Sequence, residues 1–175
     1  MRFGIAILRA VVGGLFIGHG LQKLTGAFGG YGLEGTGGAF EQMGLKPGKV
    51  HATAAGVAEA GGGALLVAGL ATPLGASALT GVMTVAIHKV HLAKGPWASN
   101  GGYEYNAVLI AAAFMITADG PGALSLDRRV WGTRWALAEL AAGVAGAFAM
   151  LKFADQGAPA ETDQTQSPDP EPVAA

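Results

Sequence analysis

His51 to Ile87 reads HATAAGVAEAGGGALLVAGLATPLGASALTGVMTVAI, with one charged side chain, Glu59, and one break, at Thr72-Pro73. Each half is about 20 residues long, the length an α-helix needs to cross a hydrocarbon layer of roughly 30 Å. The pair reads as a transmembrane helical hairpin. Glu59 then falls inside the membrane, where an ionisable group is costly and tends to mark function.

Outward from the hairpin, composition agrees. The 175 residues are 51% hydrophobic and 13% charged, with a mean hydropathy of +0.41. Soluble domains carry about 25% charged residues, so the deficit points to a bilayer as solvent. The 30 glycines suit membrane helices, whose backbones approach closely at small residues. Three ladders recur at four-residue spacing: Ala6, Ala10, Gly14 and Gly18; Gly56, Ala60, Ala64 and Ala68; Ala138, Ala142 and Gly146. They serve an internal bundle or a homo-oligomer equally well. Cysteine is absent, which excludes disulfides, a thiolate nucleophile and Cys-ligated metal in this chain. The formal charge of -1 divides unevenly: residues 155–175 hold five carboxylates and no Lys or Arg, while the remainder is net +4. No basic cluster is interleaved with aromatics in the manner of a nucleic-acid surface.

The expected organisation is an all-α transmembrane helical bundle, with a four-helix core and a fifth C-terminal transmembrane helix. Helices are placed at 3–24, 52–70, 74–92, 103–118 and 135–153, forming one membrane domain over 1–154. The first is read as an uncleaved helix, because Arg9 interrupts it and further apolar segments follow. Thr36 to Gly44 reads as a short interfacial helix ending before Pro47, and Pro73 suits the first turn of the third membrane helix. Gly120-Pro121-Gly122 stops the fourth helix, and Trp131 and Trp135 suit an interface. Residues 155–175, acidic and containing Pro, are expected to be a disordered tail. Lys and Arg weigh almost evenly on the two sides; the dense cluster Arg128, Arg129 and Arg134 favours a cytoplasmic N-terminus.

The candidate site residues are the polar groups of the apolar segments: Arg9, His19, Lys23, Glu59, His88, His91 and Glu104. Arg9, Phe16, Gly20 and Lys23 share one helix face, with His19 at its margin. Arg9 or His19 is a partner that would keep Glu59 ionised. His88 and His91 stand one turn apart, an incomplete ligand set for a metal, so no metal site is assigned. Glu104 is a candidate partner for either histidine, and Glu139 is placed near a membrane interface. Nucleotide loops, a Ser-His-Asp pattern and zinc motifs are absent, so the residues alone define no reaction.

The chain resembles the DoxX family of small bacterial membrane proteins. The resemblance rests on Leu8-Arg9 followed by His19-Gly20-Leu21-Gln22-Lys23-Leu24; on Glu59 and the run to Gly69-Leu70-Ala71-Thr72-Pro73; on His88 to His91 leading to Gly102-Tyr103-Glu104-Tyr105; and on Gly120-Pro121-Gly122 with Ser125-Leu126-Asp127. It implies a four-helix core in the bacterial cytoplasmic membrane and an association with oxidoreductase assemblies linked to sulfur compounds, quinones and oxidative stress. The fifth apolar segment and the acidic tail depart from the family pattern. The leading expectation is a redox-system subunit in which Arg9, His19, Glu59 and His88 or Glu104 line a polar cavity that contacts a quinone or carries protons, beside a soluble or membrane redox partner. A non-catalytic scaffold that recruits a soluble enzyme, and a small proton-coupled transporter, are the alternatives.

Overall fold

A computed structural model describes residues 3–156. Among these the chain is helical, with α1 at Phe3–Thr25, α2 at Gly32–Gln42, α3 at Gly48–Ala68, α4 at Thr72–Ala86, α5 at Glu104–Asp119 and α6 at Thr133–Gln156. No strand forms among the described residues. The segment read as an acidic tail lies outside them, apart from the two residues that end α6.

Three helices are long and apolar enough to span a membrane: Phe3–Thr25, Gly48–Ala68 and Thr133–Ala154. Of the other two expected crossings, α4 is shorter than expected and α5 keeps its expected 16 residues, shifted by one. α4 leaves α-geometry at Ile87, continuing as a π-helix over Ile87–His91 and a 3-10 turn over Leu92–Lys94. α5 has 16 residues, about 24 Å of rise, short of a full hydrocarbon layer. α3 begins at Gly48, earlier than expected, because Pro47 accepts from the N–H groups of Val50 and His51 at 3.2 and 3.3 Å. A short helix forms where one was expected, as α2, but starts at Gly32 rather than Thr36, and it packs on α3 and α1.

α1 and α3 run antiparallel with their backbones almost in contact. A Cβ added at Gly13 would lie 2.6 Å from the Gly63 carbonyl oxygen, and one at Gly20 would lie 2.6 Å from that of Gly56. Of the expected ladder on α1, Gly14 and Gly18 take no part in this internal seam: nothing approaches a Cβ at either within 4 Å. The packed face is the one carrying Arg9, Val12, Gly13, Phe16 and Gly20, all buried. α3 turns into α4 through Gly69 in the left-handed region (φ 60°), where a glycine costs no steric strain.

α6 lies beside α4 and parallel to it. Ser77 faces Gly143, where an added Cβ would lie 2.7 Å from the serine carbonyl oxygen; further along, the His88 ring meets that of Phe148. The central core joins Val12 and Phe16 of α1 to Leu66 of α3, Leu79 and Met83 of α4, and Ile116 of α5. A smaller cluster of Leu45, Leu151 and Ala154 ties the α2–α3 connection to the end of α6.

Two buried or half-buried polar centres hold one end of the bundle. Arg9 is 3% exposed. Its Nη1 donates to the Pro121 carbonyl at 2.6 Å, and its Nη2 donates to those of Ala123 and Leu124 at 3.2 and 3.0 Å. Asp127 accepts from the N–H groups of Ala71 and Thr72 at 3.0 and 3.1 Å, from the Thr72 hydroxyl at 2.9 Å and from Trp131 Nε1 at 2.9 Å. The carboxylate thus caps the N-terminus of α4 from the far side of the sequence, satisfying N–H groups that a helix start leaves open.

Candidate functional site

A cavity of about 590 Å³ opens among α1, α3, α4 and α6 toward the C-terminal end of α1. Its wall is mainly apolar, with Phe16, Val82, Ala86, Ala147 and Met150 among the lining residues. The size and the lining suit a small amphiphile held by a few polar groups.

Those polar groups begin with an ion pair. Lys23 Nζ stands 2.6 Å from Glu59 Oε2, with the lysine side chain 23% and the glutamate side chain 4% exposed. Antiparallel packing explains the choice of partner: the residues of α1 opposite the middle of α3 lie near its C-terminal end, so Lys23 reaches Glu59. Arg9, which the sequence offered for that role, lies beside the other end of α3 and is spent on the loop carbonyls. The close contact lacks hydrogen-bond alignment at Oε2 and acts as an ion pair.

Of the other candidates, His19 and His91 also line the cavity. His19 is exposed and shares a proton with Gln22 Oε1 across 3.0 Å. His91 Nδ1 donates to the Gly101 carbonyl at 2.6 Å, tying the π-helical end of α4 to the following loop. His88 and Glu104 are not among the lining residues. His88 is exposed, with its ring edge-on to Phe148 at 6.1 Å. Glu104 accepts from the Ala98 N–H at 2.7 Å, so it organises its own loop and meets neither histidine.

Sequence reasoning passed over several groups. His51 is 2% exposed, shares a proton with the Lys46 carbonyl across 3.2 Å, and lines the cavity. Lys89 lines it too, from the π-helix, and forms no ion pair among the described residues. Buried Asn106 donates to Met83 Sδ at 3.3 Å. Their signal in the sequence was polarity at positions that read as helix ends. Glu139, placed near an interface from sequence, is 3% exposed and accepts from the Thr80 hydroxyl at 3.4 Å, within the α4–α6 contact. No three His, Cys, Asp or Glu side chains converge as metal ligands among the described residues.

An apolar helical bundle with a buried Lys–Glu pair on an apolar cavity defines an integral membrane protein. A family model described as DoxX matches residues 4–92, just over half of the chain. The chain belongs to the DoxX family. The match runs from α1 through the π-helical end of α4 and includes Lys23, Glu59 and His91; α5 and α6 lie beyond it. No curated protein and no solved structure matches at a significant level.

Proposed function

We propose that this membrane protein is a subunit of a redox system in the bacterial cytoplasmic membrane, and that its cavity receives the head of a quinone. The observation that carries the reading is the Lys23–Glu59 pair, set into the wall of an otherwise largely apolar cavity of about 590 Å³. A quinone, when bound, supplies the means of carrying electrons and protons between the membrane and a partner enzyme. The residues fit such a group. The Lys23 side chain is partly exposed, and its ammonium has donors beyond the one facing Glu59, enough to donate to a ring carbonyl. Glu59 neutralises the lysine and fixes its direction. The apolar wall along α4 and α6 accepts an isoprenoid chain and keeps water from the head. Cysteine is absent from the chain, so thiol chemistry in such a system belongs to a partner protein.

The test is purification in mild detergent followed by quinone extraction and identification of co-eluting chains. Wild-type protein is expected to retain quinone near one per chain. Lys23→Met should lower retention roughly tenfold, the loss of one hydrogen bond from a charged donor. A quinone-free wild-type protein that elutes alone overturns the reading. Proton-coupled carriage through the same pair would then be measured in liposomes.

A further inference from the structure

The α5–α6 loop closes the opposite end of the bundle and carries chemistry the cavity does not use. Leu124, Leu126 and Val130 are 87, 65 and 66% exposed. Arg128 and Arg129 are exposed on the same loop, and Arg134 is exposed in the first turn of α6. The loop is fixed in place by the three carbonyl bonds from Arg9. The backbone N–H groups of Leu126 and Asp127 add bonds to the Ala68 and Gly69 carbonyls at 3.1 and 2.7 Å.

On this frame Arg129 is oriented by aromatics. Its guanidinium lies 4.4 Å from the Trp131 ring centroid and 5.8 Å from that of Trp135, while the two indoles meet edge to face at 5.3 Å. Stacking occupies the face of a guanidinium and leaves its in-plane N–H donors available for an oxyanion. Arg128 and Arg129 border a cleft of about 240 Å³ lined also by Gly122, Ser125 and the carboxylates Asp119 and Asp127. None of Arg128, Arg129 and Arg134 forms an ion pair among the described residues. The neighbouring carboxylates are committed: Asp127 accepts four hydrogen bonds within the chain, and Asp119 already has a partner.

We propose that this cleft binds one anionic phospholipid, its phosphate between Arg128 and Arg129 and its acyl chains against Leu124, Leu126 and Val130. Charge complementarity identifies the head, because the three arginines Arg128, Arg129 and Arg134 stand against two carboxylates, Asp119 and Asp127, a net of +1. The exposed aliphatic side chains identify the rest of the ligand: a soluble anion has no use for them, whereas a lipid at the end of membrane-spanning helices does. Indoles and arginines stand at this level of a bilayer, where phosphate and apolar chain meet. The site is independent of the redox reading.

Full-length protein in mild detergent would be incubated with equal amounts of phosphatidylglycerol and phosphatidylcholine, and retained lipid counted by native mass spectrometry. The expected result is about one phosphatidylglycerol per chain, preferred over phosphatidylcholine. Arg128→Gln/Arg129→Gln should reduce retention on the order of tenfold, with helix content unchanged because both side chains are exposed. Lys94→Gln/Lys152→Gln, which removes the same charge at the other end, should leave retention intact. Equal retention of the two lipids by wild type overturns the proposal without recourse to any variant. So does an equal loss in the lysine pair, which would reduce the effect to net charge. Displacement of the lipid by millimolar inorganic phosphate would mark a general anion site and also overturns it.

Discussion

Asp127 and Arg9 show how much one buried or half-buried side chain organises in this protein. Burial alone would raise the Asp127 carboxyl, but the bonds from Trp131, Thr72 and Ala71 outweigh it and hold the group below its ordinary value. A lowered folded value means that these bonds stabilise the fold above the unfolded carboxyl range, near pH 4, and are lost as pH falls through the depressed value. The melting temperature of Asp127→Asn should therefore lie below that of wild type by a constant margin above about pH 5. The margin should close in more acid solution, where wild type also loses its charge. Melts followed by circular dichroism in detergent check this, and a margin independent of pH would refute it. Ala71 stands in the left-handed region (φ 46°) beside this carboxylate, a conformation a β-carbon disfavours by roughly 1 kcal/mol. Neither partnership was legible in the sequence. Arg9 was visible as a charge on the buried face of α1, but its partners are carbonyls on a loop more than a hundred residues away, and every residue has a carbonyl.

Between elements, the decisive contact is the glycine seam of α1 and α3. A Cβ at Gly20 would meet the Ala60 backbone nitrogen at 2.5 Å, and backbone cannot swing aside. Gly20→Val should destabilise the bundle by about 1–3 kcal/mol or more, whereas Gly14→Ala, with open space around it, should be neutral or slightly stabilising. Thermal unfolding of the two variants separates these outcomes; equal effects would mean that the seam is misplaced. The hairpin from His51 to Ile87 was legible because apolar length is a strong signal, and so was the buried face of α1. The four-residue ladder on α1 did not mark the seam with α3, since small residues also occur on faces that no helix of the same chain covers. The polar stripe of Arg9 and Lys23 was the better guide to which face meets protein. At the cavity, Glu59 was legible as a charge without company, while His51 and Lys89 were hidden by looking like ordinary helix ends. The π-helical turn that carries Lys89 leaves no mark in the residue pattern.

Across the whole molecule, α1, α3, α4, α5 and α6 alternate in direction, with α4 and α6 parallel. Residue 3 and residue 156 therefore lie at opposite ends of the bundle. Reporter domains fused before α1 and after α6 should therefore be accessible from opposite sides of the membrane. Labelling on the same side would mean that α5 or α6 does not cross. The cytoplasmic side was only weakly legible, through the density of the arginine cluster, because arginines gather at one end and lysines at the other. The same architecture sets an order on biogenesis. Arg9 belongs to the first helix made, yet its three acceptors emerge only after α5 has been synthesised. Until then Arg9 lacks the three carbonyls that hold it in the finished bundle. The guanidinium thus ties the first helix made to the completion of the α5–α6 loop.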